Sequence, residues 1–419
     1  MTAPSTGARR TVDERERWAR AAWSALAEPG DVVAGALVGQ LGAADAWQWL
    51  LEQQGGSVAL GGRAVVQEAV AQEAVPAGVR RGAAARLARA VERWRPRLER
   101  LTVEGWSVDA PPPGAAARSR VLVPGDDDWP AGLDDLGAAA PPCLWVRGDA
   151  AAARGAVVGA RARTVALVGA RAATAYGERV AIDLAAGLVD AGFVVVSGGA
   201  YGIDAAAHRG ALAGGGRTLV VVAGGVDRAY PAGNARLVEE AVASGGAVIG
   251  EVPPGSLPTR SRFLQRNRLI AALGAATVVV EAAWRSGALS TANHAARLGR
   301  PVGAVPGPVT SMASTGCHRL LRDGTATCVT EAAEVVELAG DLGADLAPEP
   351  TATAGVHDGI DELARRVHDA LGMRAARSVA MVARAAGVTS GEALEALGTL
   401  ELVGLARHDG SGWRAADVT

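Results

Sequence analysis

The chain has 419 residues, 49% of them hydrophobic and 21% charged, with a net charge of −2 at neutral pH and no lysine, so apart from histidine every side-chain cation is an arginine. This composition excludes a disordered chain and allows two or three domains. The near-neutral balance also excludes a protein that is basic throughout, so any surface for nucleic acid has to be a local patch. Cys143, Cys317 and Cys328 are far apart and form neither a disulfide framework nor a CxxC pair. They fit a reducing cytoplasm. The N-terminal stretch MTAPSTGARRTVDERERWAR lacks an apolar signal core, and no apolar run is long enough to span a bilayer. A cytoplasmic location without membrane contact is the expectation.

Residues 1–106 read as a helical domain. Arg15–Leu26 and Asp45–Gln53 carry apolar residues at helical spacing, and Gly30, Gly39 and Gly42 punctuate a compact pair of helices between them. Val79–Leu101 predicts a longer amphipathic helix with Leu87, Val91, Trp94 and Leu98 on one face. Such modules serve packing or interaction more commonly than contact with a DNA backbone. The stretch DAPPPGAAAR predicts a linker over 107–120, ahead of a main domain at 121–340. Turn residues around Trp129, Pro130, Pro141 and Pro142 follow, and Leu144-Trp145-Val146 predicts a short edge strand.

From Thr164 short apolar runs alternate with helical stretches. The runs are Val165–Val168, Val194–Val196, Leu219–Ala223, Val248–Gly250, Val278–Val280 and Val302–Val305. Continuously apolar runs are parallel strands covered on both faces. Repeated strand–helix units predict an α/β fold, an extended Rossmann-like doubly wound sheet. A second linker is expected at 341–358. Beyond it, at 359–419, Ile360–Leu371, Ser378–Ala386 and Ser390–Leu400 read as helices, and Leu402–Arg407 and Trp413–Ala415 as two strands, a winged-helix-like outline. Arg377, Arg384 and Arg407 give this segment only scattered positive charge, which favours an interaction role over duplex binding.

Open α/β sheets bind ligands just beyond the carboxyl ends of their strands, and the informative motifs all fall there. In the first, Val168-Gly169-Ala170-Arg171-Ala172-Ala173-Thr174, Arg171 stands where a dinucleotide fold keeps the glycine that lets pyrophosphate approach the backbone. The arginine offers a forked bond to a phosphate beside a helix N-terminus, with Thr174 as its cap. The acidic residue expected after the second strand is replaced by Ser197-Gly198-Gly199-Ala200, so NAD binding is disfavoured, and a P-loop is excluded because the chain has no lysine. No cofactor is expected. The second motif continues to Asp204 and His208, four residues apart on one helix face. Without a third ligand at a suggestive spacing, this pair reads as a cap and a satisfied helix-surface histidine rather than a metal or acid–base pair.

In the third motif, GGVDRAYPAGNAR, Asn234 predicts a helix cap, and Arg236 is equally consistent with phosphate contact and with solvated surface. The fourth, Arg260-Ser261-Arg262-Phe263-Leu264-Gln265-Arg266-Asn267-Arg268, surrounds one aromatic ring with four arginines ahead of an apolar helix. Concentrated cation with a stacking platform suits single-stranded nucleic acid. The fifth, Glu281-Ala282-Ala283-Trp284-Arg285-Ser286-Gly287-Ala288-Leu289-Ser290-Thr291, presents hydroxyls and amides suited to an anion. Val305-Pro306-Gly307-Pro308 reads as a structural turn.

Taken in order, GARAATAYG, SGGAYGIDAAAH, YPAGN, GEVPPG, FLQRNRLIAAL, VVVEAAWRSGALSTA, GRPVGAVPG and STGCHRLLRDG resemble the DNA-processing protein A family (DprA, also called Smf) over about Thr164–Val329. The resemblance implies a Rossmann-like domain that binds single-stranded DNA, dimerises and loads the RecA recombinase during natural transformation. It implies a phosphate-binding role for Arg171, and it matches Arg266, Asn267 and Arg268 to the family's Arg-Asn-Arg step. Ala170 and Leu264 depart from the family's usual serine and proline. The candidate phosphate- or nucleic-acid-binding set is Gly169, Arg171, Thr174, Ser197, Gly198, Gly199, Asn234, Arg236, Arg262, Phe263, Arg266, Asn267, Arg268, Ser286 and Gly287, with no catalytic residue. The rival readings are a nucleotide or ribose-phosphate hydrolase using Glu281, a carboxylate otherwise expected to pair with an arginine, and a scaffold for protein contacts.

Overall fold

The computed structural model describes residues 12–53, 83–113, 119–154, 156–158, 161–341, 345–347, 360–372 and 375–416. Contacts divide the chain into two compact units, Met1–Ala347 and Pro348–Thr419. Most of the expected linker at 341–358, and the start of the helix expected from Val79, lie outside the described residues.

The first unit opens with helices α1 (Glu14–Leu26), α2 (Val32–Leu41), α3 (Ala43–Glu52) and α4 (Ala83–Val103). Asp13 and Asp31 cap α1 and α2 through their carboxylates, as short acidic residues do at orphan amides. One helix, not two, lies between the glycines: Gly39 is inside α2, and Gly42 separates α2 from α3. Leu87, Val91, Trp94 and Leu98 are buried, as their spacing predicted. Their core centres on Trp23, edge-on to Trp47 and Trp94 at 6.2 and 5.4 Å. These helices share their unit with the sheet. The Trp145 indole donates to Ser24 Oγ at 3.0 Å in the interior, and Arg17 holds the Asp126 carboxylate with both Nη atoms.

The sheet comprises β1 (Arg120–Leu122), β2 (Leu144–Gly148), β3 (Ala156–Val158), β4 (Arg161–Val168), β5 (Val194–Gly198), β6 (Thr218–Val222), β7 (Ala247–Gly250), β8 (Ala276–Val279), β9 (Val302–Ala304) and β10 (Thr327–Cys328). Its order is β1-β2-β7-β6-β5-β4-β8-β9-β10, with β3 antiparallel to β4. Strands β4 to β10 are mutually parallel along this order. All six predicted apolar runs are strands. The order reverses at β4, with β5 on one side and β8 on the other, which is the switch point of a doubly wound sheet. The strand at Leu144 is interior, pairing antiparallel with β1 and β7, so it is not an edge. Strands β1, β3 and β10 are too short for a periodic signal and were not anticipated.

Helices cover both faces. Ala166 and Val168 pack towards α9 (Arg260–Leu273), α10 (Gly287–Arg297) and α11 (Thr315–Arg322). Val165 and Leu167 pack towards α6 (Ala175–Asp190), α7 (Ile203–Ala213) and α12 (Ala332–Ala339). Alternate residues of one strand therefore serve opposite cores, which is why these runs show no polar positions. Between β2 and β3 lies the short α5 (Ala151–Arg154), and between β6 and β7 lies α8 (Ala235–Ala243).

In the second unit, α13 (Glu362–Asp369), α14 (Val379–Ala386) and α15 (Ser390–Leu402) precede an antiparallel hairpin, β11 (Ala406–His408) and β12 (Trp413–Ala415). Thr389 and Glu392 form a reciprocal capping box at α15. Leu402 ends that helix instead of starting a strand as expected.

Candidate nucleic-acid interface

Three post-strand loops and one helix converge beyond β4, β5 and β8. The β4 and β5 loops meet backbone to backbone. Gly202 has φ +74°, and a Cβ there would overlap the carbonyls of Ala170 and Arg171. Ile203 N donates to Ala170 O at 3.1 Å across the same contact. Only glycine permits this approach without strain.

The arginine cluster is the first part of α9, which Thr259 caps by accepting from Arg262 N, so the run belongs to the helix and does not precede it. Helical spacing then distributes the arginines. Phe263, Arg266, Asn267 and Ile270 form an i, i+3, i+4, i+7 stripe, and this stripe walls a cavity of about 340 Å3. Val168, Gly169, Arg171, Ala200, Asp204, Leu264, Ser286, Gly287, Ala288 and Thr291 complete its lining.

Arg171 is exposed and forms no ion pair among the described residues, and its guanidinium lies 4.9 Å from the centroid of the Phe263 ring. Arg266 is only 7% exposed. Its Nη1 donates to Val221 O at 2.6 Å, while its Nε has no partner among the described residues. Burial pushes its pKa down, opposed by the Asp204 carboxylate and reinforced by Arg171. An arginine keeps its proton regardless, so this desolvated charge is a standing demand for an anion. Asp204 answers only in part: burial raises its pKa, and its carboxylate accepts from Ala200 N at 3.3 Å. Ser286 caps α10, whose N-terminus opens onto the same cavity through Gly287 and Ala288 and adds a positive dipole end.

Of the predicted residues, Gly169, Arg171, Phe263, Arg266, Asn267, Ser286 and Gly287 meet at this cavity. The others have different partners. Arg268 is 2% exposed, gives its Nη atoms to Glu251 at 2.8 and 2.6 Å and its Nε to Ala139 O, and is a buried structural ion pair. Arg262 grips Glu28 at 2.9 and 3.0 Å. Thr174 does cap α6, but the buried Glu281 accepts from its amide at 2.9 Å and its hydroxyl at 2.6 Å. Glu281 thus pairs with no arginine there, and its negative charge occupies that helix N-terminus. Ser197 and Gly198 lie within β5, not after it, and Ser197 donates to Leu167 O. Asn234 makes no side-chain cap bond. Its amide ties down Gly199 O and Ala200 O, both at 3.0 Å. Arg236 is exposed and is not part of the cavity wall.

His208 is buried, not on a helix surface as expected. Its Nδ1 lies 2.7 Å from Thr218 Oγ1, and that hydroxyl spends its proton on Val195 O. Nδ1 therefore carries the hydrogen, and Nε2 is left without a partner among the described residues. Burial pushes the His208 pKa down to about 3. Ile270 was not anticipated as a wall residue, because it reaches the cavity only through the i, i+7 geometry of α9.

Residues 120–340 match the family model for DNA recombination-mediator protein A. A putative DNA processing protein DprA of Mycobacterium tuberculosis is 48% identical over 305 residues, covering 70% of this chain and 76% of that protein. DNA processing protein DprA of Streptococcus pneumoniae is 41% identical over 172 residues, 41% of this chain and 60% of that protein. The X-ray structure of DNA processing protein A from Streptococcus pneumoniae aligns with a TM-score of 0.54 at 28% identity, over 77% of this chain and 97% of that one. With the family model covering more than half of its length, the chain belongs to the DNA recombination-mediator protein A (DprA/Smf) family.

Proposed function

We propose that the chain is a non-catalytic, single-stranded DNA-binding recombination mediator. It protects incoming DNA and loads a RecA recombinase during natural transformation, as a cytoplasmic homodimer. The observation that carries the DNA reading is the convergence of two guanidinium groups that form no ion pair among the described residues, exposed Arg171 and buried Arg266, on one cavity that also holds the Phe263 ring. Phosphate neutralises the cations, and the ring offers a base a stacking surface that only an unpaired strand can use. The family's description as a recombination mediator supports the RecA role. The three helices and hairpin of the second unit support a winged-helix-like assignment.

The test is a gel shift with oligo-dT against a duplex of equal length across a salt series. We expect preference for the single strand, with a log–log salt slope of about −0.7 for each phosphate contacted. Arg171→Ala should weaken binding and reduce that slope by about one contact. Equal binding by wild type and this variant would misplace the site. The hydrolase reading is not favoured, because Glu281 is buried, engaged by Thr174 and absent from the cavity wall. Nucleoside monophosphates should not be turned over by the wild type.

A further inference from the structure

A second cavity, of about 300 Å3, opens beside the first, and Phe263 is the residue common to both. Its walls are chemically unlike those of its neighbour. Tyr230, Leu257, Pro258 and Phe263 give it aromatic and aliphatic surfaces, and backbone from Gly224 and Gly255 provides polar edges. Tyr230 lies 5.7 Å from Phe263, ring to ring, with the planes tilted by 51°. Tyr230 and Leu257 are 57% and 64% exposed, so neither is held there by core packing. Large apolar side chains left this open beside a cavity point to a ligand. The charge here is balanced: Asp227 accepts from Gly255 N at 2.8 Å and faces the same cavity as Arg228. With one carboxylate to one arginine the wall has no excess cation for a phosphate, unlike the first cavity with two arginines to one, whereas a flat, uncharged ring with hydrogen-bonding edges meets suitable surfaces.

The position of the cavity extends the argument. The first cavity lies beyond β5, β4 and β8, and the second beyond β6 and β7, with Phe263 between them. Adjacent strands are about 4.8 Å apart, so the four intervals from β7 to β8 make a track of roughly 19 Å along one sheet edge.

We propose that the cavity between Tyr230, Leu257 and Phe263 is a nucleobase subsite, which takes an unpaired base of a strand whose phosphate is held by Arg171 and Arg266. It rests on the reading of the first cavity as a phosphate site. It makes selection against duplex a matter of base access, since a paired base cannot enter without leaving its stack.

The test uses the full chain, an oligo-dT carrying one internal 2-aminopurine, and matched strands with a run of abasic sites. Wild type should quench the 2-aminopurine on binding and should bind the abasic strand about tenfold more weakly for each lost stack, with the same salt slope. A Tyr230→Ala/Leu257→Ala variant, with an unchanged circular-dichroism spectrum and unfolding midpoint, should lose most of the quench and bind intact and abasic strands alike. If that variant keeps the wild-type quench and preference for intact strands, the subsite is overturned. If instead Arg171→Ala binds normally while the Tyr230/Leu257 variant does not, the phosphate reading falls and the base subsite stands. Failure of the wild type to bind either strand overturns both.

Discussion

Four arginines of similar appearance in the sequence have two different jobs, separated by what lies opposite each guanidinium. Arg262 and Arg268 form ion pairs with carboxylates of the protein, while Arg171 and Arg266 form none among the described residues and have only Asp204 nearby. The two kinds of substitution should therefore fail differently. Arg171→Ala should leave the unfolding midpoint in place and weaken oligo-dT binding. Arg268→Ala strands the buried Glu251 charge and should cost about 3–5 kcal/mol of stability in denaturant titration. His208 carries a pH dependence of its own. Its folded pKa is depressed to about 3, so from its ordinary 6.5 downward the unfolded chain binds a proton that the native state refuses. The native state then loses about 1.4 kcal/mol per pH unit across that window, and the contribution is complete above it. Asp204, whose pKa is raised by burial, acts in the opposite sense. The difference between wild type and His208→Gln in denaturant titrations from pH 7 to pH 4 isolates the histidine, and a flat difference would refute this account.

At the scale of elements, α9 decides the site. Its 3.6-residue period sends Phe263 and Arg266 to the cavity while Arg262, one position before the phenylalanine, turns to Glu28 at the end of α1 and its following turn. Burial presses on Arg266 from strand β5 as well. A Cβ on Gly198 would overlap its guanidinium, so glycine at that strand position makes room for the cation. Gly198→Ala should thus displace Arg266 and weaken oligo-dT binding by about as much as losing one phosphate contact, although residue 198 is not on the cavity wall. Salt slopes of Gly198→Ala and Arg171→Ala measured side by side check this, and an unaltered Gly198→Ala slope would mean that Arg266 contributes nothing. The helix ends also differ. The N-terminus of α10 opens onto the cavity, but that of α6 is already filled by the Glu281 carboxylate. Only the first is free for an added anion.

At the scale of the molecule, the doubly wound order places the reversal at β4, and all residues proposed for phosphate contact come from the carboxyl edge of that sheet. They belong to the first compact unit. A chain ending at Ala347 should accordingly bind oligo-dT with the salt slope of the full chain, and loss of binding on that truncation would assign the second unit a direct part. Among the described residues no helix is long and apolar enough to cross a membrane.

What the sequence determined by itself was local and periodic. The six apolar runs declared buried parallel strands because each residue of such a strand faces a core. Thr174 announced a helix start because a short hydroxyl satisfies an orphan amide. The arginine standing in place of a glycine after β4 was read as an anion site, and folding leaves it exposed and without an ion pair among the described residues. Only the tertiary structure decided which cations were free. A guanidinium's commitment depends on a carboxylate far away in the chain, such as Glu28, which is 234 residues from Arg262, and no local pattern encodes that distance. The same holds for Glu281, which sequence paired with an arginine and folding placed on Thr174, and for the shared wall of the two cavities. Each is set by the crossing of separately encoded elements at one sheet edge.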